Sequence, residues 1–135
     1  MAETTETLSE ILRELKHSKD WRERRAMALK LGRCRRPEVF PALVGALGDR
    51  DPEVRHAAVL SLGQLGGPQT VETLCLPKVL EDPSPDVRWA AVTVLGRLGS
   101  LGITNALSKA LQDSEWVVRN QAHLALSEFI RRIPA

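Results

Sequence analysis

Aromatic residues are scarce in this 135-residue sequence, which has three Trp, two Phe and no Tyr. A core with so few aromatic wedges must be filled by Leu, Val, Ala and Ile, which suits close-packed helices better than a sandwich of short strands. Long apolar runs are missing as well. Nothing approaches the roughly 18 consecutive apolar residues of a membrane span, and the opening "MAETTETLSEILREL" is acidic where a signal peptide would be basic and then apolar. The expected location is cytoplasmic, with no membrane partner. Cysteine is limited to Cys34 and Cys75, with no Cys-x-x-Cys spacing, so neither a zinc site nor a redox pair is expected and both read as buried or half-buried thiols.

Catalytic motifs are also lacking. There is no His-x-x-x-His and no glycine-rich phosphate loop, and His17, His56 and His123 are followed by Ser, Ala and Leu. His56 and a carboxylate such as Asp86 could share a metal, but a mixed binding surface accounts for both without one. The sequence therefore reads as that of a protein that is not an enzyme and has no metal or cofactor.

What is present is ordinary for a soluble globular domain: 43% hydrophobic and 27% charged residues, enough for one core. The net charge of +2 is unevenly placed. Between Arg13 and Arg36 ten Lys or Arg stand against three acids, whereas from Pro37 onward nine bases face eleven acids. One end of the molecule is basic, which makes nucleic acid or another polyanion an alternative partner.

The strongest signal is a repeat. Val54-Arg55, Val87-Arg88 and Val118-Arg119 are spaced by 33 and 31 residues, and Arg24 in "DWRERRAMALKLG" lies another 31 upstream. Asp49, Asp82 and Asp113 each stand five residues before the Val, and Gly32, Gly63 and Gly96 share a column that ends in Ser127. Within a copy, Val54, Ala57, Ala58, Leu62 and Leu65 fall on one arc of a helix. A first helix precedes it, marked by Leu43 and Leu47, by Leu76 and Leu80, by Leu107 and Leu111, and at the start by Leu8, Ile11, Leu12 and Leu15. Glycine and proline at "GRCRRPE", "GGPQ" and "GSLG" separate the copies. The expected fold is all-α, four helical hairpins at about 4–34, 37–66, 68–99 and 101–133 stacked as an α-solenoid. Pro77 predicts a kink in the third first helix.

"DPEVRHAAVLSLGQLG" and "SPDVRWAAVTVLGRLG" resemble HEAT repeats, in particular the short type associated with phycobilisome lyases. The first and last copies depart from the pattern, as capping repeats do. The resemblance implies a superhelix whose second helices line the concave side. It also makes a role in bilin attachment or removal an alternative by analogy. The His-Glu pairs with which HEAT-like deoxyhypusine hydroxylases bind iron are absent.

An Arg behind an Asp at one fixed place suits a structural ladder of Asp49, Arg55, Asp82, Arg88, Asp113 and Arg119, in which each carboxylate accepts turn N–H groups and each guanidinium bridges to the adjacent copy. The outward arc supplies the candidate partner-binding row. Its columns hold Arg22, Glu53 and Asp86; Arg25, His56, Trp89 and Asn120; Leu60 and Thr93, with Leu29 and Leu124; and Gln64 and Arg97, with Arg33 and Glu128. Trp89 is the candidate anchor. Trp21 and Trp116 read as lids on the end repeats. The expected function is a scaffold that binds a protein partner along this concave row, as a monomer, with end-to-end dimerisation through the apolar "EFIRRIPA" end as the alternative.

Overall fold

The computed structural model describes residues 6–99 and 101–134, and among these the chain is helical, with no strand. Residues 4 and 5, where the first repeat was placed to begin, lie outside them. The helices are α1 (Leu8–His17), α2 (Trp21–Leu31), α3 (Val39–Ala46), α4 (Pro52–Leu65), α5 (Pro68–Leu74), α6 (Pro77–Leu80), α7 (Pro85–Leu98), α8 (Thr104–Ala110) and α9 (Trp116–Arg132). Local chemistry sets the helix starts. Asp20 and Asp51 accept the N–H groups of Arg22 and Glu53 at 2.9 and 2.8 Å, and Pro52 and Pro85 occupy first-turn positions that need no donor. At the other end, Gly66 (φ 67°) and Gly99 (φ 54°) stop α4 and α7 in the left-handed region that side chains disfavour.

The nine helices form four antiparallel hairpins in two layers. The second helices α2, α4, α7 and α9 lie side by side in close contact, while the first helices touch one another far less. The second helices form this tighter, inner layer. Its spacing is set by the glycine column: a Cβ on Gly63 would sit 2.8 Å from Val94 Cγ2, and one on Gly96 only 2.6 Å from the Cβ of Ala125. At Gly32 the approach is completed by a hydrogen bond, the Ser61 hydroxyl donating to the Ala28 carbonyl at 2.7 Å. Between the layers runs one apolar core, in which Leu31, Leu62 and Leu95 of successive second helices meet Leu43 and Leu107 of first helices, all fully buried. The periodic apolar positions have become an α-solenoid.

The third first helix differs from expectation. Pro77 does not kink it; it divides it into α5 and α6. Leu76 is extended (φ −67°, ψ 143°), the conformation favoured before proline, and Pro77 begins a new helix. Leu76 is consequently 44% exposed, although its equivalents Leu43 and Leu107 are fully buried. Thr70, Leu74 and Val79 are the buried residues of α5 and α6. Beside the break lies a cleft of about 310 Å³ that reaches α8 and includes Cys75, whose thiol burial pushes up and so makes less nucleophilic.

Candidate partner-binding surface

An arginine ladder frames the inner layer. Arg24 Nε and Nη2 donate to both carboxylate oxygens of Asp49 (2.9 and 3.0 Å), Arg55 does the same to Asp82 (2.9 and 3.1 Å) and Arg88 to Asp113 (2.8 and 3.0 Å). Each fork therefore joins the second helix of one hairpin to the turn of the next. The remaining Nη1 ties each arginine to its own turn, on the carbonyls of Ser18, Asp49 and Asp82, at 2.7 to 2.9 Å. Each carboxylate also accepts a backbone N–H two residues on, from Asp51, Ser84 and Glu115. Burial raises the affinity of Asp49 and Asp113 for a proton, yet the arginine fork and the turn N–H outweigh it and hold both carboxyls below the usual carboxylate range. Arg119 repeats the inner contact, Nη1 to the Asp113 carbonyl at 2.7 Å, but no ion pair to it occurs among the described residues.

The open face of the inner layer holds the candidate row. Arg22, Arg25, Glu53, Leu60, Gln64, Asp86, Trp89, Arg97 and Asn120 are exposed, and His56 and Thr93 half-buried. A groove of about 580 Å³ crosses α2, α4 and α7, with Leu29, Leu60 and Val94 as apolar floor and Lys30, Arg33, Gln64 and Arg97 along the side near the helix C-termini. A smaller hollow of about 230 Å³ continues it between α7 and α9, past Leu124 and Glu128. Leu60 and Trp89 are each 38% exposed, so large apolar surface faces solvent here. Glu53 and Asp86 stand at the opposite, N-terminal ends of their helices beside Arg22 of the same column, so the surface is mixed in charge.

Not every candidate is free to bind. Arg97 Nη2 donates to the Gly63 carbonyl at 2.9 Å and so braces two helices, and Arg22 lies over the ring of Trp21, 5.1 Å from its centroid. Thr93 donates its hydroxyl to the Trp89 carbonyl at 2.8 Å. Lys30 and Ser61 belong to the groove but were not among the candidates. Their shared column, two residues before the glycines, was the available signal. Lys30 pairs with Glu6 at 2.7 Å. Among the described residues no three His, Cys, Asp or Glu gather closely enough to hold a metal ion, and no helix is long and apolar enough to cross a membrane. Trp21 packs against the core as a lid would, whereas Trp116 is 63% exposed and covers little. The lid reading fails there, although Trp116 opens α9 as Trp21 opens α2.

Paired helices, a close-packed inner layer and a bonded ladder define an α-solenoid repeat protein. This chain belongs to the HEAT-repeat family: the family model described as HEAT repeats matches residues 5–75 and 76–132. No curated protein matches it. Among solved structures it is similar to human deoxyhypusine hydroxylase in complex with glycerol, with a TM-score of 0.77 and 24% identity over 93% of this chain and 44% of that one. The chain thus spans less than half the length of the hydroxylase. It is also similar to the complex of CpcE and CpcF of phycocyanin lyase from Nostoc sp., with a TM-score of 0.73 and 25% identity over 88% of this chain and 79% of that one. These likenesses correct the expectation that the chain is not an enzyme. Both structures are of an enzyme or of lyase subunits, so the fold itself does not stand outside catalysis, and a missing motif excludes only the chemistry that motif carries.

Proposed function

We propose that the chain is an interaction module that holds a segment of a partner protein along the groove of its second helices. The observation that carries this reading is the groove itself, which crosses three repeats over Leu29, Leu60 and Val94, with Trp89 exposed on the same layer beside it. Large side chains of that kind supply apolar contact area, and Trp89 adds a hydrogen-bond donor. Arg25, His56, Gln64, Asp86 and Asn120 around them supply polar selection. Trp89→Ala and Leu60→Asp are expected to weaken partner capture from the native host at least tenfold while leaving the melting temperature nearly unchanged. Unaltered capture by both variants would end the reading.

Polyanion binding by the basic first hairpin is less well supported, because Arg24 is committed to Asp49 and Lys30 pairs with Glu6. A capture that disappears on nuclease treatment and falls steeply with salt would favour it. A second reading, work within a lyase assembly, is supported by the likeness to the CpcE and CpcF complex. Bilin binding by the purified chain, followed by absorbance, would test it.

A further inference from the structure

The ladder carries an inference that is independent of the groove. At about 100° per residue, Trp116, Arg119, His123, Ser127 and Ile130 share an arc of about 80° on α9. The same columns in α7 are Pro85, Arg88, Val92, Gly96 and Gly99, and in α4 Pro52, Arg55, Val59, Gly63 and Gly66. In those helices the middle of this stripe is the surface covered by the following hairpin, while Pro52 stays exposed and Pro85, Gly66 and Gly99 half-buried: Val59 and Val92 are buried, Gly63 and Gly96 touch the next second helix, and Arg55 and Arg88 fork onto the next turn. On α9 the stripe is open. Trp116 and Ile130 are 63% and 65% exposed, His123 and Ser127 are exposed, and among the described residues Arg119 is held at its inner nitrogen only.

We propose that this stripe docks a helical hairpin of another protein chain, whose interhelical turn presents an aspartate to Arg119. Charge and geometry specify the occupant. Arg119 is fixed by the Asp113 carbonyl as Arg88 is by the Asp82 carbonyl, so its Nε and Nη2 stand ready for a carboxylate that also caps its own turn. The three internal rungs are worked examples of that contact. A head-to-tail second copy does not supply it in the same column, because Ser18 stands there, bonded to Glu23 at 3.0 Å, and the aspartate of that turn, Asp20, lies two residues on and caps α2 through the Arg22 N–H. The stripe also differs from an internal joint. Ser127 replaces the glycine at the point of closest approach and His123 replaces a buried valine, so the docked helix must stand farther off, with Trp116 and Ile130 filling the gap. A polar stripe with two apolar ends tolerates water and suits reversible docking.

Two measurements test this on the full chain. In the free protein, the Nε–H protons of Arg24, Arg55 and Arg88 should exchange slowly with water in NMR spectra, and that of Arg119 rapidly. Slow exchange at Arg119 would mean the fork is already occupied, and the proposal would fall. A photo-crosslinking residue at position 123, irradiated in lysate of the native host, should then give an adduct whose cross-linked peptide is an aspartate-bearing turn between two helices. Arg119→Ala and Ile130→Glu should each cut that adduct at least tenfold. Ile130 is exposed, so its variant keeps the fold even if loss of the Asp113 contact unsettles Arg119→Ala. No adduct, an adduct with a second copy of this chain or with nucleic acid, or one indifferent to both variants would overturn the proposal.

Discussion

The two layers of the solenoid obey different rules. In the inner layer α4 and α7 are both 14 residues long, carry their arginine at the same place and reach the same glycine contact. In the outer layer α3 is a single helix of 8 residues, its counterpart is split into α5 and α6, and α8 is a helix of 7 residues preceded by a 3-10 turn. An inner helix such as α4 or α7 has inner neighbours on both sides, so its shape is fixed by contacts it cannot change alone. An outer helix packs mainly on its own partner and can break without disturbing the stack.

The comparison can be tested, starting where the layers are tied together. Arg55→Ala leaves Asp82 buried without its cation and should cost about 3 to 5 kcal/mol in urea unfolding. A loss under about 1 kcal/mol would mean the ladder does not hold the layers. Within the outer layer, Leu43→Ala should cost about 2 to 5 kcal/mol, whereas Leu76→Ala, in the same column but exposed at the break, should stay within about 0.5 kcal/mol. Equal costs would show that the broken helix is no freer than the intact one.

Acid should act through the same ties. Asp49 and Asp113 have folded pKa values below their unfolded ones, so their contribution is complete above the unfolded value of about 3.9 and is lost as pH falls through the lower folded value. Thermal scans from pH 6 to pH 2 should show this fall for the wild type and a shallower one for Asp113→Asn. Glycine gives a finer contrast. Gly96→Ala forces α7 and α9 apart and should cost about 1 to 3 kcal/mol, while Gly45→Ala in α3, where an added Cβ meets nothing within 4 Å, should gain about 0.5 to 1 kcal/mol. The smallest effect is expected at Gln64→Ala, within about 0.5 kcal/mol, since Gln64 is exposed.

The inner layer was legible in the sequence because repetition prints its constraints in columns. Val54, Ala58 and Leu62 are buried where the helical period places them, and the Asp and Arg columns meet across repeats. The outer layer was less legible. Leu76 fits the apolar pattern but lies outside any helix, because the restriction before Pro77 outweighs the gain of burying one leucine. Trp116 was misplaced for a related reason, since a column says which residues are equivalent but not whether a neighbour covers them. Groove residues such as Lys30 and Ser61 share a column two residues before the glycines, but that the column lines one groove shows only when three helices are set side by side.

Each joint between inner helices is secured at two points, the arginine fork near the helix start and the glycine contact eight residues on, about 12 Å apart at about 1.5 Å per residue. One point would be a pivot about which a repeat could swing in any direction. Two points leave rotation only about the line joining them, and packing of the leucine core opposes that. The relative placing of successive inner helices is therefore a mechanical constant of the chain. A ligand entering the groove meets a surface already set, so little ordering of the backbone is charged against its affinity.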